Sequence, residues 1–270
     1  MVSHRKRTSD RGRLARRGPA ARGLWKHERE LHALGYRLIA GVDEAGRGTL
    51  AGPVVAAAVI LPERVRLRGL ADSKRISSPA RRAALAAAIC DQAVAVGVGV
   101  VGVRAIDRLN IYHGACEAMR RAVATLSVPA DMLLVDGRPV PGFPVPQRAV
   151  VKGDARCGCI AAASIVAKVA RDRLMDQLAE EFPAYGFRRH RGYATPEHLQ
   201  KLAELGVCRA HRRSFGPVMR RLQGVLGLEA RQHAADVHRV IHSCGNADKG
   251  VANLSADVEQ EGQWACRKRS

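Results

Sequence analysis

A chain of 270 residues with 45 Lys and Arg against 25 Asp and Glu, a formal charge of +20, can bury a substantial core and points to a polyanionic partner such as nucleic acid. Hydrophobic residues make up 47% and aromatics 4%, so the core must be built mostly from Val, Ala, Leu and Ile. No apolar run reaches the ~18 residues of a membrane span, and the basic N-terminal stretch leads into no apolar segment of the kind a secretory signal needs.

Residues 1–26 are rich in Arg and poor in acids and apolar periodicity. They read as a disordered basic tail, a composition shared by nucleic-acid arms and organellar transit peptides. A short helix around Trp25–Leu34 leads into the fold. Arg37–Asp43 is the first expected strand, and Val54–Leu61, apolar throughout, the second. Ser78-Pro79 is a helix start, with Ser78 as cap and Pro79 at the first position, and that helix runs to about Cys90. Ala93–Val103, rich in Val and Gly, reads as a third strand. Asn110–Leu126 carries Ile111, Ala115, Ala118, Met119, Ala122 and Val123 on one helical face. Met132–Asp136 and Arg148–Val151 are the fourth and fifth strands, and Ala155–Glu181 a long helix whose alanines permit close packing. A helix over Pro196–Leu205 has Thr195 as its cap, and a last core helix follows Ser214. Strands clustered early and helices late predict an α/β fold with a helical C-terminal lobe. The main domain is expected over 27–223, with its helical lobe from about 170. Residues 224–270 read as a marginal helix (Leu228–Ile241) and a disordered tail.

The chemistry concentrates at strand ends. Asp43 and Glu44 close the first strand in front of Gly46-Arg47-Gly48, Asp136 closes the fourth, and Asp154 follows the fifth. Clustered carboxylates are the donor set for hard divalent cations, and a glycine-bounded turn lets the main chain approach a ligand closely. A single strand-end acid is as readily a solvated turn residue, so the set carries the reading. Seven cysteines without regular spacing argue for thiols in a reducing cytoplasm. Cys157-Gly158-Cys159 lacks a second pair at zinc-site spacing, which favours structural thiols.

Read with their flanks, these residues resemble the ribonuclease HII family, the bacterial type 2 ribonucleases H. The resemblance is carried by Val42-Asp43-Glu44-Ala45-Gly46-Arg47-Gly48, Leu50-Ala51-Gly52-Pro53-Val54, Asp72-Ser73-Lys74, Val135-Asp136-Gly137 and Lys152-Gly153-Asp154. It continues through Ala161–Lys168, Tyr185-Gly186-Phe187, His190-Arg191-Gly192-Tyr193 and His211-Arg212-Arg213-Ser214-Phe215, roughly residues 37–220 in family order. It implies an RNase H-like fold: a five-stranded mixed sheet flanked by helices with a helical C-terminal lobe. The implied activity is endonucleolytic cleavage of RNA in RNA–DNA hybrids and 5′ of single ribonucleotides in duplex DNA, leaving 3′-hydroxyl and 5′-phosphate ends. The implied cofactor is Mn2+ or Mg2+ in a two-metal mechanism.

The resemblance makes Asp43, Glu44, Asp136 and Asp154 the catalytic and metal-binding acids, with Asp43 shared between both ions. It makes Gly46, Arg47 and Gly48 a main-chain sensor of the 2′-hydroxyl, Ser73 and Lys74 part of a phosphate-gripping loop, and Tyr193 the reader of the sugar beside the ribonucleotide. Lys168, Arg171, His211, Arg212 and Arg213 are further candidate phosphate contacts, or a solvated basic face. Lys152 could orient substrate or moderate the acids. Cys157-Gly158-Cys159 and Cys208-Arg209-Ala210 depart from the family pattern, the former suggesting sensitivity to oxidation.

The expected protein is a cytoplasmic monomer acting on hybrid and ribonucleotide-containing duplex DNA. Its C-terminus carries no glutamine-plus-aromatic motif that would indicate a sliding-clamp partner. The alternatives are a ribonuclease HIII-like hybrid nuclease, disfavoured by the intact Gly-Arg-Gly and the short N-terminal segment, and an inactive nucleic-acid binder, disfavoured by the complete acid set.

Overall fold

Ile39–Ala45 forms the central strand, β1, because a run of small and β-branched residues can be covered on both faces. In the computed structural model, which describes residues 23–70, 76 and 78–224, it is followed by β2 (Val54–Ile60), buried along its whole length, and β3 (Ala95–Val101). β4 (Met132–Asp136) and β5 (Gln147–Val150) complete a five-stranded sheet in the order β3-β2-β1-β4-β5. β1, β2 and β3 pair antiparallel, whereas β4 runs parallel to β1 and β5 parallel to β4. The sheet is therefore mixed, as the family resemblance implies.

The helices are α1 (Lys26–Ala33), α2 (Pro79–Gln92), α3 (Val103–Leu109), α4 (Ile111–Ala124), α5 (Gly158–Glu181), α6 (Phe187–His190) and α7 (Pro196–Leu205). Residues 216–224 are helical as well. One face of the sheet packs on α1, α2 and α5 through Val59, Leu85, Ile89, Leu134, Ile160 and Ile165. The other packs on α3 and α4 through Val42, Val54, Ile106, Ala118, Met119 and Leu133. α5 lies unusually close to β1. A Cβ on Gly41 would overlap the main chain of Cys159 and Ile160, so only glycine permits that approach.

Expected caps are in place. The Ser78 hydroxyl accepts the Arg81 N–H at 3.4 Å and Thr195 accepts that of His198 at 3.2 Å, each with proline at the first helical positions. Three expectations shift. Val103, expected at the end of β3, instead opens α3. Asn110, at φ 66°, separates α3 from α4 and caps α4 by accepting the N–H groups of Tyr112 and His113 at 2.9 and 3.1 Å. The long helix begins at Gly158 and not at Ala155, because Gly153–Ala155 forms a separate 3-10 turn. Leu24, expected in the basic tail, packs with the core.

Residues 1–22, the segment 71–75 with Asp72, Ser73 and Lys74, residue 77, and 225–270 with the expected helix Leu228–Ile241 lie outside the described residues. Among the described residues, no helix is long and apolar enough to cross a membrane.

Candidate active site

Parallel pairing of β1, β4 and β5 brings the C-terminal ends of all three strands to one edge of the sheet, where open α/β folds place their sites. The register matches Val42 to Val135 and Asp136 to Val150, so Asp43, the next residue along β1, reaches the edge beside Asp136. Asp154 arrives from the 3-10 turn after β5. That turn is pinned to β4 by the Gly153 N–H, which donates to Asp136 Oδ1 at 2.6 Å. Lys152 before it takes a left-handed conformation and is exposed.

Asp43 is only 6% exposed. Burial, and then the neighbouring charges of Glu44 and Asp136, hold its carboxyl well above the usual carboxylate range. The Ser164 side chain on α5 and the Glu44 N–H, at 2.7 Å from Asp43 Oδ1, oppose that shift. Burial also raises Glu44, against the Arg47 guanidinium that bonds its Oε1 at 3.1 Å. The structure thus brings Asp43, Glu44 and Asp136 into electrostatic contact and places Asp154 next to the residue that bonds Asp136.

Among the described residues, no group of three or more acids, histidines or cysteines already encloses a point for an ion. The donor chemistry fits a hard divalent cation all the same. The oxygens are carboxylate, Asp43 is held by neutral donors while its charge is opposed by two further acids, and water or phosphate oxygens can fill the rest of a shell.

The loop after β1 is gripped from behind by two fully buried arginines. Arg171 of α5 donates from Nε to Pro53 O at 3.0 Å, and from Nη2 to Thr49 Oγ1 at 2.9 Å and Ala51 O at 3.1 Å. Its Nη1 donates to Arg191 O at 3.0 Å. Arg212 donates from Nε to Gly52 O at 2.9 Å and from Nη1 to Arg47 O at 3.1 Å, and its guanidinium lies 5.1 Å over the Phe215 ring. Burial, and then Arg171 nearby, lower Arg212 to about 9. Gly46 has φ +94°, and a Cβ there would overlap the Arg171 side chain. Gly48 faces open space and Arg47 is exposed.

Tyr193 is 44% exposed, with the Lys168 ammonium 6.0 Å from its ring centroid. Beneath it runs a chain of buried imidazoles. Tyr193 O accepts from His198 Nδ1 at 2.8 Å, which leaves His198 Nε2 as acceptor for His211 Nε2–H at 3.1 Å. His211 Nδ1 in turn accepts the Cys208 N–H at 3.1 Å. Each ring is therefore neutral in this arrangement. Burial, and then His198, push His211 down to about 4.

These placements correct part of the sequence reading. Arg171, His211 and Arg212, candidate phosphate contacts, are buried and bond main-chain groups and, for His211, a second imidazole. Lys168 is half-buried and paired with Asp172 at 2.5 Å, whereas Arg213 remains exposed. Cys157 and Cys159 are buried free thiols whose pKa values burial raises, which opposes formation of the reactive thiolate.

Sequence reading missed Glu28, a buried carboxylate on α1 that accepts the Cys159 N–H at 2.9 Å and so caps α5. It also missed Asp107, which accepts from the Arg213 and Ser214 N–H groups at 3.0 and 2.9 Å. Both bonds span about a hundred residues or more of chain, and no local pattern signals them.

The family model described as Ribonuclease HII matches residues 40–218. The ribonuclease HII of Geobacillus thermodenitrificans is 53% identical over 228 residues, covering 81% of this chain and 87% of that protein. Among solved structures, the ribonuclease H2 of Pyrococcus horikoshii OT3 is 28% identical with a TM-score of 0.61, covering 68% of this chain and 96% of that one. The RNase HII of Archaeoglobus fulgidus, solved in complex with PCNA, is 29% identical with a TM-score of 0.57, covering 66% and 95%.

Proposed function

This chain belongs to the ribonuclease HII family, and on that premise we propose that it is a metal-dependent endoribonuclease that hydrolyses the RNA strand of RNA–DNA hybrids and cuts 5′ of single ribonucleotides in duplex DNA. The products are a 3′-hydroxyl and a 5′-phosphate. The observation that carries the reading is the buried carboxyl of Asp43, raised by its burial and by Glu44 and Asp136 at the shared edge of three parallel strands. A protein tolerates such repulsion where a function requires it.

Asp43, Glu44, Asp136 and Asp154 would hold the divalent cations, Mn2+ or Mg2+, through their carboxylate oxygens. When bound, the ions activate water and take up charge on the leaving 3′ oxygen. The Ser164 side chain and the Glu44 N–H fix the Asp43 carboxylate, and the Gly153 N–H fixes Asp136, so the acids keep their places while substrate enters. Arg47 moderates Glu44 and, being exposed, can turn to a phosphate. The main chain of Gly46, Arg47 and Gly48 reads the 2′-hydroxyl that DNA lacks. Tyr193 packs on the adjacent sugar, Ser73 and Lys74 grip a phosphate, and contacts to sugars and phosphates leave base sequence largely unread.

The test is a labelled DNA duplex with one embedded ribonucleotide, incubated with Mn2+, Mg2+ or EDTA. A single metal-dependent cut 5′ of the ribonucleotide is expected. Cleavage confined to runs of RNA would support a ribonuclease HIII-like specificity, and binding without cleavage an inactive binder.

A further inference from the structure

Hydrolysis by four carboxylates does not explain why a fully buried guanidinium stands behind the loop that follows them. Arg171 spends its hydrogen bonds on two separate elements. Thr49 Oγ1, Ala51 O and Pro53 O belong to the loop that opens at Gly46, while Arg191 O belongs to the turn Arg191-Gly192-Tyr193. The same two elements meet directly where the Leu50 N–H donates to Gly192 O at 2.8 Å. None of the four acceptors is a carboxylate; the nearby charge of Asp172 favours the guanidinium without bonding it, so its hydrogen bonds all go to neutral oxygens. An apolar side chain would leave those buried oxygens without their donor, at a cost in stability. What a guanidinium adds is a rigid, planar fork that fixes several acceptors at once, which a lysine cannot copy. Gly46 supports the same assignment from the other side: its left-handed conformation and missing Cβ let the loop rest on the Arg171 side chain.

We propose that Arg171 is a positioning residue for sugar recognition, setting the spacing between the Gly46-Arg47-Gly48 main chain and Tyr193 so that a ribose and the sugar beside it are read together. The inference rests on the function proposed above. A single embedded ribonucleotide requires both readings at one place: a 2′-hydroxyl at the loop and a deoxyribose under the tyrosine. A continuous hybrid presents a ribose at both, so the paired reading contributes less there. Loosening the spacing therefore harms the first substrate more than the second.

The experiment compares full-length wild type with Arg171→Lys, Thr49→Val and Thr49→Ser. Each is assayed for kcat and KM on a duplex with one embedded ribonucleotide and on a continuous RNA–DNA hybrid, with thermal melting alongside. Arg171→Lys is expected to lower kcat/KM on the embedded ribonucleotide at least about tenfold further than on the hybrid, a size typical of small misplacements at a reacting centre. Thr49→Val leaves the arginine in place but removes the hydroxyl that accepts from Arg171 and donates to Gly46 O and Ala51 O; it should move the ratio in the same direction by a smaller factor, and Thr49→Ser should restore it. Equal losses on both substrates would make Arg171 a general scaffold and overturn the proposal. So would an unchanged ratio in Thr49→Val, which decides the matter if Arg171→Lys does not fold. Wild type that fails to cut at the embedded ribonucleotide would overturn the proposed function itself, and this inference with it. Wild-type cleavage of both substrates with unaltered ratios in the variants would overturn this inference alone.

Discussion

Ser164, less than two turns into α5, lies beside the carboxylate of Asp43 near the end of β1 and favours its charged form, which couples the most buried acid of the site to the longest of the described helices. The glycine at position 41 makes it possible, because the helix N-terminus can then lie on the strand. The acid is held in a place it would not choose on its own: desolvation and two like-charged neighbours oppose its ionisation.

Asp43→Asn should therefore abolish cleavage while retaining substrate binding, measured by anisotropy with a labelled duplex. It should also stabilise the metal-free protein at pH 7, since the folded state no longer carries that unfavourable charge. The sign follows from linkage. A raised folded pKa means the native state holds more protons, so wild-type stability falls as pH rises from the unfolded value of 3.8 toward the raised one. Urea titrations should show that decline weakened in the variant. A loss of stability with parallel loss of binding would make Asp43 a structural residue.

Tyr193 is almost half exposed, and its ring supports little of the core. Tyr193→Ala should cost less than about 1 kcal/mol of stability, as surface substitutions do, while cleavage at a single embedded ribonucleotide drops sharply. A fall in melting temperature large enough to account for the lost activity would return the ring to a packing role.

The imidazole chain under Tyr193 predicts acid sensitivity. His211 has its folded pKa lowered from 6.5 to about 4, so the unfolded chain binds the extra proton first. Its contribution is fully present above about pH 6.5 and is lost as pH falls toward about 4, up to roughly 3 kcal/mol in all. Protonated His211 would also lose its role as acceptor for the Cys208 N–H. His211→Gln should be less stable at pH 7 and show a shallower drop in melting temperature between pH 7 and 4.5. An unchanged slope would place the acid-sensitive groups elsewhere.

Cys157 and Cys159 are buried, and burial raises both thiols. Native protein treated with iodoacetamide should leave both unmodified by peptide mass spectrometry and retain its activity, whereas urea should expose them. Rapid native-state alkylation at either position would restore the redox reading suggested by their spacing.

Local chemistry made much of this protein legible in the sequence. The unbroken apolar run of β2 announced a strand buried on both faces, and Ser78-Pro79 and Thr195-Pro196 announced helix starts, because those signals act within a few residues. The strand-end placement of Asp43, Glu44 and Asp136 was readable for the same reason, and the motif flanks added the family.

What periodicity could not show was which strands run parallel, and that choice alone carries β1, β4 and β5 to a common edge and gathers the acids. Nor could sequence distinguish an arginine that reaches solvent from one that turns inward. Arg171 and Arg212 looked like surface cations, yet they lie buried against the carbonyls of Arg47, Ala51, Gly52 and Pro53, more than a hundred residues away. Charge fixes what a side chain can bond, but the packing of distant segments decides which partner it meets and whether water is there to compete.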